Sequence, residues 1–180
     1  MSEDNNKKGI EASFKSMDTE EFLDIYFNRP IGYAWALFFK KMKVHPNVVT
    51  ILSIFLGVGA GIMFYYPDMT HTLIGIFLLM WANHYDSADG QLARLTGQKT
   101  QWGRMLDGFA GDLWFFTIYV AICLRLMDEP MPFDPSLNWG IFIWILAVVA
   151  GTLCHSKQCT LADYYRNIHL YFLKGKEGSE

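Results

Sequence analysis

Apolar runs alternate with short polar connections along this chain, and the length of each run predicts what it does. Asn47 to Tyr66 ("NVVTILSIFLGVGAGIMFYY") has no charged residue over twenty positions, about what a helix needs to cross a hydrocarbon core. Thr72 to Tyr85 is apolar but too short to span unless its helix continues through Asp86 toward Arg94. Phe109 to Leu126 and Trp139 to Ser156 are further apolar runs, and Pro67, Pro130, Pro132 and Pro135 punctuate the connections. Ahead of all these, Phe22 to Lys43 mixes aromatic, aliphatic and basic residues around Pro30, which breaks or restarts a helix. That mixture predicts an interfacial amphipathic helix on the cytoplasmic leaflet, with Lys40, Lys41 and Lys43 near headgroups. An aromatic stripe packed on the other helices is the alternative.

The resulting expectation is an all-α integral membrane protein, a bundle of about four transmembrane helices preceded by that interfacial helix. Its parts are a polar arm over 1–21, the interfacial segment 22–43, a transmembrane domain 44–173 and a polar tail 174–180. Spans are expected near 47–66, 72–94, 103–126 and 139–156, followed by an exit helix.

Composition sharpens this picture through its distribution. The chain is 52% hydrophobic and 16% aromatic, yet its mean hydropathy is only +0.14, because charge is crowded into the ends and connections. Lysine and arginine concentrate before Pro46, between Arg94 and Arg104, and from Lys157 onward, whereas Pro67–His71 and Met127–Asn138 have none. The positive-inside rule therefore places the N-terminus and the Asp86–Asp112 region at the cytoplasmic face of a multi-pass membrane protein, the inner membrane if the source is bacterial. The N-terminal sequence has no apolar core with a cleavage site, so no secretory signal is expected. No basic stripe is interleaved with aromatics, which argues against nucleic acid as a partner. Cys154, His155 and Cys159 invite a zinc reading that only the remote His169 could complete, so small side chains near a helix end fit better, and no disulfide framework is implied.

The chemistry is concentrated in "DSADGQLARLTGQKTQWGRMLDGFAGD", Asp86 to Asp112. On a continuing helix, Asp86, Asp89, Gly90 and Ala93 recur at three- and four-residue intervals and share a face. Carboxylates one turn apart repel unless a cation sits between them, and the small residues beside them leave room for a ligand. Arg94 adds a guanidinium fork suited to phosphate oxygens. Gly103 and Asp107 repeat the arrangement on the next helix. Hard divalent cations favour carboxylates together with substrate phosphates, so Asp86, Asp89 and Asp107 across a gap predict a half-open site for one or two ions, suited to phosphoryl chemistry. Solvated aspartates at helix ends would not need matched small residues.

These residues resemble the signature of the CDP-alcohol phosphotransferase (CDP-alcohol phosphatidyltransferase) family, D-x2-D-G-x2-A-R-x8-G-x3-D-x3-D. Asp86, Asp89, Gly90, Ala93, Arg94, Gly103 and Asp107 fall in register, and the "HPNVVT" opening of the first span is similar as well. The resemblance implies a membrane transferase of phospholipid biosynthesis that moves a substituted phosphate from a CDP-linked donor, commonly CDP-diacylglycerol, to an alcohol acceptor and releases CMP. It implies Mg²⁺ or Mn²⁺, two ions, on Asp86, Asp89 and Asp107. Gly90, Ala93, Arg94 and Gly103 would accommodate the nucleotide and diphosphate, with Asn47 and Thr50 bordering the cytidine.

Two departures from the family pattern bear on function. The last aspartate of the signature falls at Gly111, and Asp112 follows it. A one-residue offset turns a helical side chain by about 100°, which a π-bulge could absorb. The expectation is therefore that Asp112 serves as fourth metal ligand and general base. The family usually has six spans, and this pattern shows fewer, so association, for example as a homodimer, could complete the cavity. Alternatives are a truncated or degenerate, non-catalytic CDP-lipid-binding subunit and a metal-dependent membrane phosphohydrolase. For a phosphorylated acceptor, Arg104, Lys157 and Arg166 are the cations considered, against their use as topology anchors.

Overall fold

The computed structural model describes residue 22 and residues 24–174; the expected polar arm over 1–21 and the tail beyond Lys174 lie outside the described residues. A π-helical turn, Asp24–Asn28, leads into α1 (Arg29–Lys41), with Pro30 in its first turn. Proline is well placed there, because the first turn of a helix has no partner for the missing N–H. Helix α1 ends in a tight turn through Lys43, whose φ of 56° is left-handed, so that the Val44 N–H reaches the Phe39 carbonyl.

Helix α2 (Pro46–Met63) begins with a double signal: Pro46 opens the first turn, and the His45 ring accepts a hydrogen bond from the Asn47 N–H at 3.2 Å. Its buried line is built from Val49, Thr50, Ser53, Gly57, Ala60 and Gly61. Helix α3 (Met69–Thr96) is capped by Asp68, whose carboxylate accepts from the His71 N–H, and it ends at Gly97 with φ 69°. The His71 ring also binds the Asp68 carboxylate and holds its pKa below the ordinary aspartate value. The helix beginning at Thr72 does continue through Asp86, as its use as a span requires, and 28 residues make it roughly 42 Å long. Helix α4 (Gln101–Leu126) follows, its start tied by the Thr100 hydroxyl accepting from the Gly103 N–H at 2.9 Å.

Close packing depends on two glycines at one crossing. A Cβ on Gly57 would stand 2.1 Å from Trp114 Cδ1, and one on Gly61 would stand 2.6 Å from Thr117 Cγ2. Thus α2 and α4 approach so closely that the indole occupies the notch a side chain would fill. On the other side of α2, Ala36 and Phe39 of α1 pack with Val49, Ala88 and Leu92 in a small apolar core. The stretch expected to lie in the interface is therefore also a packing element, with Leu37, Phe38 and Met42 left exposed on its opposite side.

The chain divides between Ile118 and Tyr119 into two compact units. In the second, a turn from Met127 to Trp139 is closed by Gly140 N–H to Met127 O at 2.8 Å and by Met131 N–H to Leu137 O at 2.8 Å. Helix α5 (Gly140–Val148), a π-helical stretch Val149–Ser156 and α6 (Lys157–Lys174) then run on without a break. The boundary expected at Ser156 is a change of helical winding, not an interruption. Cys123 packs against this run, its thiol 3.7 Å from the Ile143 carbonyl.

The described residues are α-helical and form no strand, in keeping with an all-α membrane fold. By length and composition alone, three of the four expected spans are met among the described residues. Three stretches, Pro46–Met63, Gln101–Leu126 and Gly140–Leu173, are long and apolar enough to cross a membrane by length and composition. Helix α3 is not among them, because the polar segment Asn83–Arg94 dilutes its apolar first half.

Candidate metal centre

Asp86 and Asp89 stand one turn apart in the middle of α3, and α4 presents Asp107 across from them. Each offers one oxygen, and these oxygens all lie within 4.8 Å of one another. Asp89 is buried, Asp86 half-buried and Asp107 exposed, so the cluster is closed at one side and open at the other. Asp89 is held in place by Thr50 of α2, whose hydroxyl donates to its Oδ2. The Ser53 hydroxyl in turn donates to the Thr50 carbonyl at 2.7 Å. A β-branched hydroxyl residue one turn into an apolar helix thus orients an acid on its neighbour.

The small residues of the signature are adjacent to this cluster. A Cβ on Gly90 would lie 3.6 Å from the Arg94 guanidinium nitrogens, so Arg94 arches back along α3 over Gly90. At Gly103 an added Cβ would meet Thr100 Oγ1 at 3.1 Å and Asn47 Oδ1 at 3.2 Å. Thr50 and Arg94 therefore act on Asp89, Arg94 covers Gly90, Asn47 and Gly103 stand against each other, and Ala93 lies half-buried on the same helix as Gly90.

Asp112 is placed differently from the expectation of a fourth ligand. Helix α4 is regular α-helix from Gln101 to Leu126, without the π-turn that would rotate Asp112 onto the Asp107 stripe. Five residues beyond Asp107 on a regular helix, its side chain points about 140° away. It is exposed and is not one of the three carboxylates that converge. The position that does share the stripe is Gly111, where an added Cβ would have nothing within 4 Å.

The other cations and thiols considered have the following local settings. Arg104 is exposed. Arg166 pairs with Asp163 on its own helix at 3.7 Å, and Cys159 lies 3.9 Å from the His155 ring. Among the described residues only Asp86, Asp89 and Asp107 form a group of three or more potential metal donors, so the zinc reading of the cysteines gains no fourth ligand. One cation absent from the sequence expectation does belong near the acids: Arg29 at the start of α1, whose charge acts on Asp86, while that of Arg94 acts on Asp89. No spacing signal marks Arg29, because it reaches the site from a different helix.

The donor set fits a hard divalent cation. Three carboxylates at this separation are mutually repulsive, and an all-oxygen set on one open side is what Mg²⁺ or Mn²⁺ accepts while keeping positions for phosphate and water.

Comparison with known proteins gives the same residues a family. A family model described as CDP-alcohol phosphatidyltransferase matches residues 43–166. A protein named "Bifunctional IPC transferase and DIPP synthase" from Aquifex aeolicus (strain VF5) is 27% identical over 141 residues, 74% of this chain and 30% of that protein. A second protein of the same organism, named "Uncharacterized protein", is 40% identical over 70 residues, 39% of this chain and 34% of its own length. The matched regions thus span about a third of each curated relative. No solved structure matches the chain.

Proposed function

The chain belongs to the CDP-alcohol phosphatidyltransferase family, and from that premise we propose that it transfers a phosphatidyl group from CDP-diacylglycerol to the hydroxyl of an alcohol, with release of CMP. The observation that carries this reading is the convergence of Asp86, Asp89 and Asp107 within 4.8 Å beside Gly90 and Gly103. Bound there, Mg²⁺ or Mn²⁺ would neutralise the diphosphate and make CMP a better leaving group.

The chain's own residues supply the rest. Gly90, Ala93 and Gly103 leave space for the nucleotide, and Arg94 offers a planar fork to the diphosphate oxygens. Asn47 borders the cytidine side, and Thr50 fixes the orientation of Asp89. Asp107, the exposed member of the cluster, is the acid that an acceptor hydroxyl can reach, and we assign it the acceptor's proton. As the acceptor oxygen bonds to phosphorus, the bond from phosphorus to the CMP oxygen breaks, and the proton leaves through Asp107 to solvent. Holding donor and acceptor in line adds to the rate that charge neutralisation supplies. The distribution of lysine and arginine supports a cytoplasmic N-terminus and active site, and a homodimer is the assembly we propose for enclosing the acceptor.

The direct test is CMP release from CDP-diacylglycerol by the full chain in lipid nanodiscs, with Mg²⁺ or Mn²⁺ and pooled alcohols, omitting each component in turn. The proposal expects release only when both metal and an alcohol are present, and splitting the pool then identifies the acceptor. Release without alcohol would make the protein a phosphohydrolase. Binding of the CDP-lipid with no release under any condition would make it a binding subunit, the reading that Gly111 in place of a fourth acid favours.

A further inference from the structure

Arg29 lies outside the signature and outside the residues 43–166 that the family model matches, yet the fold brings it to the acid cluster. Two contacts fix its backbone beside the helix that carries Asp86. The Gln91 side-chain amide on α3 donates to the Arg29 carbonyl at 3.0 Å. One turn along α1, a Cβ on Gly32 would stand 2.7 Å from Ser87 Oγ and 2.9 Å from Gln91 Nε2. The backbone from Arg29 to Gly32 is therefore pressed against the Ser87–Gln91 ridge of α3, and Ser87 is the immediate neighbour of Asp86. At the other end of α1 the Lys40 ammonium donates to the Leu95 carbonyl at 3.2 Å, so α1 is tied to α3 at both ends and the position of Arg29 is not left to a mobile segment. The half-buried Arg29 is the cation whose charge acts on Asp86.

An arginine in this place has a particular consequence. Its guanidinium does not lose its proton in a protein, so it cannot adapt to an arriving divalent cation by becoming neutral. It can only move. The same planar fork that pairs with a carboxylate also pairs with phosphate oxygens, and the proposed donor brings a diphosphate to this cluster.

We propose that Arg29 is a positioning residue that serves as counterion to Asp86 while the cluster is free of metal, and transfers its fork to a donor phosphate oxygen once a divalent cation is bound. This inference rests on the acid cluster being the metal and donor site described above. By linkage it makes metal and donor each favour the other's binding, because metal frees the Arg29 fork for the donor and the donor draws that fork away from Asp86. The coupling is thus built from a residue that a search of the signature alone would pass over.

The test is Mn²⁺ binding to the full chain in nanodiscs at pH 7, read by the electron paramagnetic resonance of free Mn²⁺, first alone and then with CDP-diacylglycerol and no acceptor. Wild type is expected to bind Mn²⁺ several-fold more tightly when the donor is present. Arg29→Gln should bind Mn²⁺ alone about 5- to 10-fold more tightly than wild type, at the low end of coupling between sites, and the donor's effect should shrink to the part that direct contact between metal and diphosphate supplies. Arg29→Met, which keeps most of the apolar stem, serves as a second neutral variant should the first misfold. Arg29→Lys, retaining the charge without the fork, should match wild type for Mn²⁺ alone while losing part of the donor effect. Unchanged or weaker Mn²⁺ binding in the folded neutral variants would overturn the role given to Arg29. Asp89→Asn separates the two claims: if it binds Mn²⁺ as well as wild type does, the metal site itself is wrong and this inference falls with it, whereas loss of Mn²⁺ in Asp89→Asn beside an unchanged Arg29→Gln removes only Arg29.

Discussion

The two halves of α3 invert the usual relation between polarity and burial. In its first half Leu73, Ile74 and Phe77 are 54%, 44% and 56% exposed, whereas in its second half Asp89 is 4% and Gln91 0% exposed. An aqueous protein would arrange these the other way round. Apolar side chains that face lipid need no partner within the protein, so packing can be reserved for groups that lipid cannot solvate. Ionisable side chains in such a setting persist where partners satisfy them, here Thr50 and Arg94 for Asp89 and Arg29 for Asp86. The first half of α3 is exposed and apolar, and the second half carries two of the three acids of the proposed site.

The comparison breaks most readily at Asp89. Asp89→Asn should lower CMP release by about 10³-fold, the scale expected for loss of a group that acts on charge in the transition state, with unchanged helical circular dichroism. Phe77→Leu in the exposed half should leave release within about two-fold, and a large loss there would remove the distinction between the halves. Next is the packing that supports the site. Gly57→Leu would drive a side chain into Trp114 and should destabilise the protein by about 3 kcal/mol, measured as a lowered midpoint of thermal unfolding in detergent, while Phe55→Leu on the exposed side of the same helix should change it little.

Smaller effects separate orientation from reaction. Thr50→Val removes the hydrogen bond to Asp89 and keeps the shape, and it should weaken Mn²⁺ binding by about 10- to 100-fold. If affinity stays the same, Asp89 does not depend on Thr50. Asp112→Asn should change CMP release by less than about two-fold, since its side chain points away from the cluster; a loss as deep as that of Asp89→Asn would mean that α4 rewinds in the working enzyme to bring Asp112 in.

What could be read in the sequence followed from periodicity within single elements. Asp86, Asp89, Gly90 and Ala93 share a face because an α-helix repeats every 3.6 residues, so their grouping needed only the assumption that the second helix continues. Asp107 could be added because the spacing to Gly103 repeats the pattern. The bulge that would have brought Asp112 into line could not be inferred from neighbouring glycines, because Gly108 and Gly111 permit rewinding without requiring it, and α4 keeps regular winding past both. Arg29 and Gln91 were not legible at all. Their partnership joins residues 62 apart in the chain, and no local pattern encodes which face of α1 meets α3. Burial of polar residues on α3 was likewise not legible: Asp89 and Gln91 are buried because Thr50 of α2 and the Arg29 carbonyl of α1 pair with them.

The account stands or falls on whether the alcohol attacks phosphorus at this cluster. The decisive measurement is turnover of CDP-diacylglycerol in H₂¹⁸O with metal and the acceptor identified from the pool, followed by mass spectrometry of both products. The prediction is a new lipid ester and CMP, neither containing solvent oxygen, and no such product from Asp89→Asn. Solvent oxygen in the lipid phosphate would contradict the account by making water the nucleophile, and an undiminished ester yield from Asp89→Asn would place the chemistry away from the three acids.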